Sequence, residues 1–158
     1  MTPERCRDPY DWKALLRLIQ EAFADMEGRI DPPSSMHRLT PEAIARQAET
    51  GEVWAIGHPP LACVFLTPKP QALYVDKLAV APGARRQGLA RALIDLAETR
   101  AQALGLPCLE LETRVELTEN HATFRILGFV ETGRNAHEGF DRPTSITFQR
   151  RVRSRGTA

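Results

Sequence analysis

The sequence predicts an α+β fold, with a mixed, mostly antiparallel sheet flanked by helices. Three observations predict it. Helical periodicity governs the first fifty residues, period-two alternation and short apolar runs govern 52–80, and a strand, loop, helix and strand then follow within about 40 residues. At 158 residues the chain falls in the size range of one domain, assigned to 1–158 with a core from about 8 to 152 and a basic tail at 153–158.

Asp8-Pro9 reads as an N-cap with proline at the first helical position, and Trp12, Leu15, Leu16, Ile19, Phe23 and Met26 recur at helical spacing behind it. A helix of about 17 residues is expected there. The stretch 28–39 has no period, and its prolines make it a loop. Thr40-Pro41-Glu42 repeats the cap signal, Ile44 and Ala48 give a short apolar face, and Gly51 is expected to end the helix in a left-handed conformation. Runs at 52–56, 61–67 and 72–80 read as three successive antiparallel strands, punctuated by Gly57-His58-Pro59-Pro60 and Pro68-Lys69-Pro70. Leu89, Leu93, Leu96, Ala97, Ala101 and Leu104 lie on one helical face, stopped by Gly105 and Pro107. A strand at 108–113, parallel to 72–80 through a right-handed crossover, precedes a helix at about 118–127 and strands at 129–132 and 145–151.

Composition excludes several classes of function. Lys and Arg number 21 against 20 acids, so no overall field favours nucleic acid or an anionic membrane. No apolar run approaches the roughly 18 residues of a membrane span, and residues 1–10 lack a signal peptide's apolar core, so a cytoplasmic location is expected. Cys6, Cys63 and Cys108 are odd in number and lack a Cys-x-x-Cys spacing, which argues for buried free thiols and against a disulfide framework or zinc site.

The chemistry concentrates at Leu78 to Ala90. A glycine-containing turn between strand and helix aims backbone N–H groups at one spot, where the helix dipole also favours an anion. Arg85 and Arg86 add charge, Gly88 admits close backbone approach, and small Ala90 keeps the first turn open. No Gly-Lys-Ser/Thr follows, and a third glycine at dinucleotide spacing is missing.

Leu78-Ala79-Val80-Ala81-Pro82 followed by Arg85-Arg86-Gln87-Gly88-Leu89-Ala90 resembles motif A of the GNAT superfamily of acetyl-CoA-dependent N-acetyltransferases, with its core Arg/Gln-x-x-Gly-x-Gly/Ala. The helix containing Asn120 and ending at Leu127-Gly128-Phe129 resembles that family's second signature. The resemblance implies an α/β/α layered GNAT fold whose sheet splays between 72–80 and 108–113 to admit acetyl-CoA. It implies further that Leu78, Ala79 and Val80 hold the pantetheine arm, that Arg85, Arg86, Gln87, Gly88, Leu89 and Ala90 hold the pyrophosphate, and that Asn120 reaches the arm from the other side. The acceptor would be a primary amine of a small molecule or peptide, with no metal involved.

Amine acetylation needs a neutral nucleophile, and free alkyl amines hold their proton to about pH 10, so a carboxylate should help remove it. Asp76 is the candidate base or substrate anchor, on one strand face with Tyr74, Leu78 and Val80 by period-two alternation. A structural pairing with a neighbouring base is the alternative. The tyrosine that commonly donates a proton to the departing sulfur in this family is replaced by Phe124, which becomes a cofactor-packing residue. Tyr74 is the substitute donor or, alternatively, a core aromatic. Loop residues His37, Arg38, His137, Glu138, Phe140 and Asp141 border the expected acceptor end, and His58 and His121 read as structural. Glu110 and Glu112 share a face near the splay, Cys108 lacks an activating base, and Arg150, Arg151, Arg153 and Arg155 read as a solvated tail. Only Arg5-Cys6-Arg7 stands where the family has a longer first strand, which leaves open the sheet edge and whether a homodimer contact forms there. A catalytically weak acyl-CoA-binding module of the same fold is the rival reading, encouraged by Phe124.

Overall fold

The computed structural model describes residues 1–26 and 28–153. Among these, β1 (Glu4–Arg5), α1 (Trp12–Ala22), α2 (Pro41–Thr50), β2 (Glu52–Ile56), β3 (Ala62–Pro68), β4 (Leu73–Val80), α3 (Leu89–Leu104), β5 (Cys108–Arg114), α4 (Thr118–Ile126), β6 (Val130–Asn135) and β7 (Ser145–Arg151) follow in order. The strands form one sheet in the order β1-β2-β3-β4-β5-β7-β6. Only β4 and β5 pair in parallel, joined by the crossover through α3. The first strand is present but two residues long, pairing Glu4 with Ala55 and Arg5 with Trp54.

Two apolar layers sandwich the sheet. On one side α1 and α2 bury Leu15, Leu18, Ile19, Ile44 and Ala48 against Val53, Ala55, Cys63, Phe65 and Ala79. On the other, α3 buries Leu89, Leu93, Ile94, Ala97 and Ala101 against Val64, Leu66, Leu73, Val75, Leu109, Ile146 and Phe148. Full burial of one such aliphatic or aromatic side chain is worth roughly 1.5–3 kcal/mol, so these two layers hold the elements in place. Leu104, expected on the buried face of α3, is instead 42% exposed at the last position of the helix.

The helix ends differ from expectation for identifiable reasons. α1 starts later than Asp8-Pro9 predicts, because Asp11 supplies the cap by accepting the Ala14 N–H at 3.1 Å. The Asp8 carboxylate accepts the Trp12 indole N–H at 2.6 Å instead. α1 also ends earlier, and a 3-10 turn at Ala24–Met26 turns Phe23 and Met26 towards the cleft described below. α2 begins as predicted, with Thr40 accepting the Ala43 N–H and Pro41 inside the first turn. It does not end left-handed: Gly51 has φ −133°, and its glycine is required by close approach, since a Cβ would lie 2.6 Å from the Leu66 carbonyl oxygen.

β4 carries the largest departure. Phe65 faces Asp76 and Cys63 faces Ala79, so Val64 alone opposes both Lys77 and Leu78. This is a β-bulge, with Lys77 at φ +51°. The extra residue breaks the alternation that placed Asp76 with Leu78 and Val80. Leu73 and Val75 before the bulge and Leu78 and Val80 after it all pack on the α3 side. Asp76 lies opposite Phe65 on the α1/α2 side, and Tyr74 shares that face by strand alternation.

The thiols and terminal arginines are also placed. Cys6 and Cys63 are buried and free, whereas Cys108 is only half-buried and donates to the Gln71 carbonyl. Arg150 and Arg151 belong to β7, and Arg153 is tied to the buried Glu98 of α3 through its backbone N–H at 3.1 Å and its guanidinium at 3.2 Å. The run is therefore anchored up to Arg153, because a buried carboxylate needs those donors. Arg155 lies outside the described residues.

Candidate active site

β4 and β5 are paired only at Leu73 with Leu109 and Tyr74 with Glu110, and beyond that point they part. The gap opens into a cleft of about 620 Å³ whose lining brings together Tyr74, Asp76, Leu78, Glu112, Asn120 and Phe124. Leu78 comes from β4, Glu112 from β5, and Asn120 and Phe124 from α4. Phe124 packs edge-on against Phe129 and at a tilt against Phe148, with centroids about 6 Å apart, so its ring is fixed by the core below the cleft.

Val80 and Ala79 do not line the cleft with their side chains. Ala79 is buried under α1 and α2, and Val80 packs towards α3. The phosphate-loop residues separate likewise. Gly88 sits at φ +78°, ψ +14° as the cap of α3, with no atom within 4 Å of where a Cβ would stand. The N–H groups of the helix's first turn, from Leu89 and Ala90 onward, have no intrahelical partners by geometry. Arg86 and Gln87 are exposed beside them, Arg86 itself at φ +65°. Arg85 is turned away: its guanidinium donates to the Ala22 carbonyl at 3.1 Å and lies 3.6 Å from Asp25, at the end of α1. Its backbone stays in the loop while its charge serves the neighbouring helix.

Asp76 is partly exposed and is held by its neighbour. Its Oδ1 accepts the Lys77 backbone N–H at 2.9 Å, and the Lys77 ammonium lies 3.4 Å from both carboxylate oxygens. The phenol of Tyr74 is pushed well above the ordinary tyrosine range, first by burial and then by the negative field of Glu112, Asp76 and Glu110. It therefore stays protonated through neutral and mildly alkaline pH. The Lys69 ammonium sits 4.0 Å over its ring and 3.4 Å from Glu110. Cys108 lies outside the cleft lining, and its thiol is raised by burial and Glu110, the reverse of what a nucleophile needs.

The loop at 28–39 crosses the cleft and is fastened to its far wall. Arg114, at the end of β5, donates to the carbonyls of Pro32 at 2.6 Å and Pro33 at 3.2 Å. Arg29 pairs with Glu119 at 2.7 Å, and the Asp31 N–H reaches Glu116 at 3.2 Å. Arg38 lines the cleft, and His37 lines a smaller adjoining pocket. From the other long loop His137, Glu138 and Phe140 enter the lining, and Asp141 does not. His58 pairs with Glu4 at 2.9 Å, and buried His121 contacts the Arg114 carbonyl at 2.9 Å, both as structural groups.

Lys77 and Arg114 are the two cationic lining residues among those that sequence reasoning passes over. Arg114 could have been suspected as a basic residue at the end of a strand beside the splay. Lys77 gives no such signal, because its place depends on the bulge.

Among the described residues, no group of three or more His, Cys, Asp or Glu side chains is placed to hold a metal ion. No helix among them is long and apolar enough to cross a membrane.

A sheet parted beside the glycine-capped start of a crossover helix is the architecture that the two sequence motifs imply. The model of the acetyltransferase (GNAT) family matches residues 12–129, and the chain belongs to that family. Solved structures agree in fold. The ribosomal-protein-S18-alanine N-acetyltransferase from Escherichia coli superposes with a TM-score of 0.71 at 21% identity, over 98% of this chain and 96% of that one. A GNAT family acetyltransferase from Elizabethkingia anophelis with acetyl-CoA bound gives 0.68 at 16% identity, over 96% and 97%. An acetyltransferase from Streptococcus agalactiae gives 0.72 at 18%, over 96% and 99%. No curated protein matches the chain.

Proposed function

We propose that this acetyltransferase takes its acetyl group from acetyl-CoA and passes it directly to a primary amine of a small molecule or peptide. The observation that carries the reading is the cleft at the β4–β5 split, whose lining brings a carboxylate, a protonated phenol and Asn120 together. The residues fit the donor. The open approach at Gly88 and the free N–H groups at the start of α3 suit a pyrophosphate, and Leu78 and Phe124 offer apolar surface to the arm. Bound there, the thioester supplies an activated acyl carbon and a thiolate leaving group. Arg85 contributes its backbone rather than its charge, which leaves Arg86 as the side chain to meet phosphate.

In this scheme Asp76 takes the proton of the incoming ammonium, and Tyr74 hands a proton to the departing sulfur in place of the hydroxyl that Phe124 lacks. Lys77 holds the Asp76 carboxylate in one orientation, its backbone N–H and its ammonium both reaching it. Asp76→Asn is expected to lower the rate by about a hundredfold near pH 7 and to lose less at alkaline pH, where free amine is abundant. A pH profile parallel to that of the parent protein would remove Asp76 from proton transfer. The donor is tested separately: CoA should raise the melting temperature, and ATP and NAD should not.

Phe124 favours one rival, a cofactor-binding module with weak or no turnover. Tight CoA binding with no product across amines, polyamines, aminoglycosides and peptide N-termini would establish it.

A further inference from the structure

Lysine is scarce in this chain. Of the 21 basic residues, Lys13, Lys69 and Lys77 are the lysines and all the others are arginine. Lys13 and Lys69 are exposed. Lys77 is different, because its side chain is only 14% exposed and it lines the same cleft as Leu78, Asn120 and Phe124. The bulge puts it there: at φ +51° its side chain leaves the regular alternation of β4. Its ammonium stands 3.4 Å from each oxygen of Asp76.

We propose that Lys77 is an acceptor in its own cleft, so that the protein acetylates itself at Lys77 Nζ. The proposal rests on the acetyl-CoA reading above. A primary amine, a carboxylate to take its proton and the apolar wall assigned to the donor's arm lie within one cavity, which are the requirements set out for any external amine. An arginine at this position would pair with Asp76 equally well but could not accept an acyl group at the same site with comparable ease, since its guanidinium stays protonated.

Lys77 Nζ gives one proton to Asp76, which passes it to solvent, and the freed lone pair forms a bond to the acetyl carbon. The carbon–sulfur bond breaks with its electron pair going to sulfur. The second proton of the nitrogen ends on that sulfur, leaving a neutral acetyl-lysine and a free thiol. The modified side chain has no positive charge, so Asp76 loses its ion pair and is released to serve an external amine.

The three lysines provide the test. The full-length protein is incubated with acetyl-CoA, digested, and the acetyl occupancy of each lysine is followed by mass spectrometry. Acetic anhydride serves as a reagent that needs no site, and melting with CoA is measured on the same samples. Anhydride should label exposed Lys13 and Lys69 ahead of Lys77. Acetyl-CoA should reverse that order, modifying Lys77 at least about tenfold faster than the other two and at a rate independent of protein concentration. Lys77→Arg should abolish the fast modification while keeping the CoA-induced melting shift, and Asp76→Asn should slow it. If CoA raises the melting temperature but acetyl-CoA labels only Lys13 and Lys69, self-acetylation is overturned and the donor reading stands. If CoA produces no shift, the donor reading fails and this proposal falls with it.

Discussion

Glu52→Gln is expected to lower stability by about 3 kcal/mol at neutral pH, the low end of the cost of breaking a buried ion pair, because Arg100 keeps some contact with water. Glu52 is 4% exposed at the start of β2. Its two oxygens accept the Arg100 Nε and Nη2 hydrogens, each at 2.8 Å, and Oε1 also accepts the Trp54 indole N–H at 2.8 Å. The pair bolts α3 to the sheet. Glutamine keeps the shape and leaves the guanidinium without its counter-charge. The melting temperature should fall by roughly 6–12 °C in a chain of this length.

The pH dependence identifies the cause. Burial alone would raise the Glu52 carboxyl, but the hydrogen bonds from Arg100 and Trp54 and the charges of Arg100 and Arg5 together hold it below the ordinary glutamate value. A depressed native value means stability that is fully present above the unfolded-state pKa of about 4.3 and is lost as pH falls through the native one. The gap between parent and Glu52→Gln should therefore be constant around neutrality and close in acid. A gap that persists unchanged into strong acid would assign the loss to packing instead.

Gly88→Val is expected to weaken acetyl-CoA binding by roughly tenfold to a hundredfold, read as a rise in KM and a loss of the CoA-induced melting shift. Hydrogen bonds to a charged group are worth about 1.5–3 kcal/mol, and each 1.4 kcal/mol is a factor of ten. The left-handed backbone at Gly88 carries an L side chain only at a cost of about 1–2 kcal/mol, so the loop would shift to relieve it. Nothing in the protein lies within 4 Å of the new Cβ, so any clash is with the ligand and not with the fold. An unchanged KM would show that the pyrophosphate sits elsewhere. A lower melting temperature without CoA, but with the same CoA response, would assign the effect to backbone strain.

The order of elements was legible because helix caps, apolar periods and the crossover are local signals. Thr40-Pro41 and Gly105 mark their helix ends correctly, and 145–151 is the strand predicted. Asp8 misled because two aspartates compete near α1, and which one caps depends on where the Trp12 indole points. Motif A placed the glycine cap, but it could not show that Arg85 bonds a carbonyl 63 residues away. The bulge was invisible for a similar reason. A one-residue offset between β3 and β4 depends on pairing across the sheet, and period-two counting assumes that no such offset exists.

That offset gives β4 a place where it can shorten. Deletion of Lys77 would remove the extra residue and leave Leu78 opposite Val64, with Ala79 still opposite Cys63 and Val80 opposite Ala62. Leu78 and Val80 would stay on the α3 side and Ala79 on the α1/α2 side, so the start of α3 and Gly88 would keep their register. The loss would fall on the cleft that Lys77 lines and not on the core. In a lineage descended from such a protein, this position can be substituted or lost without turning any other residue of β4 to the opposite face.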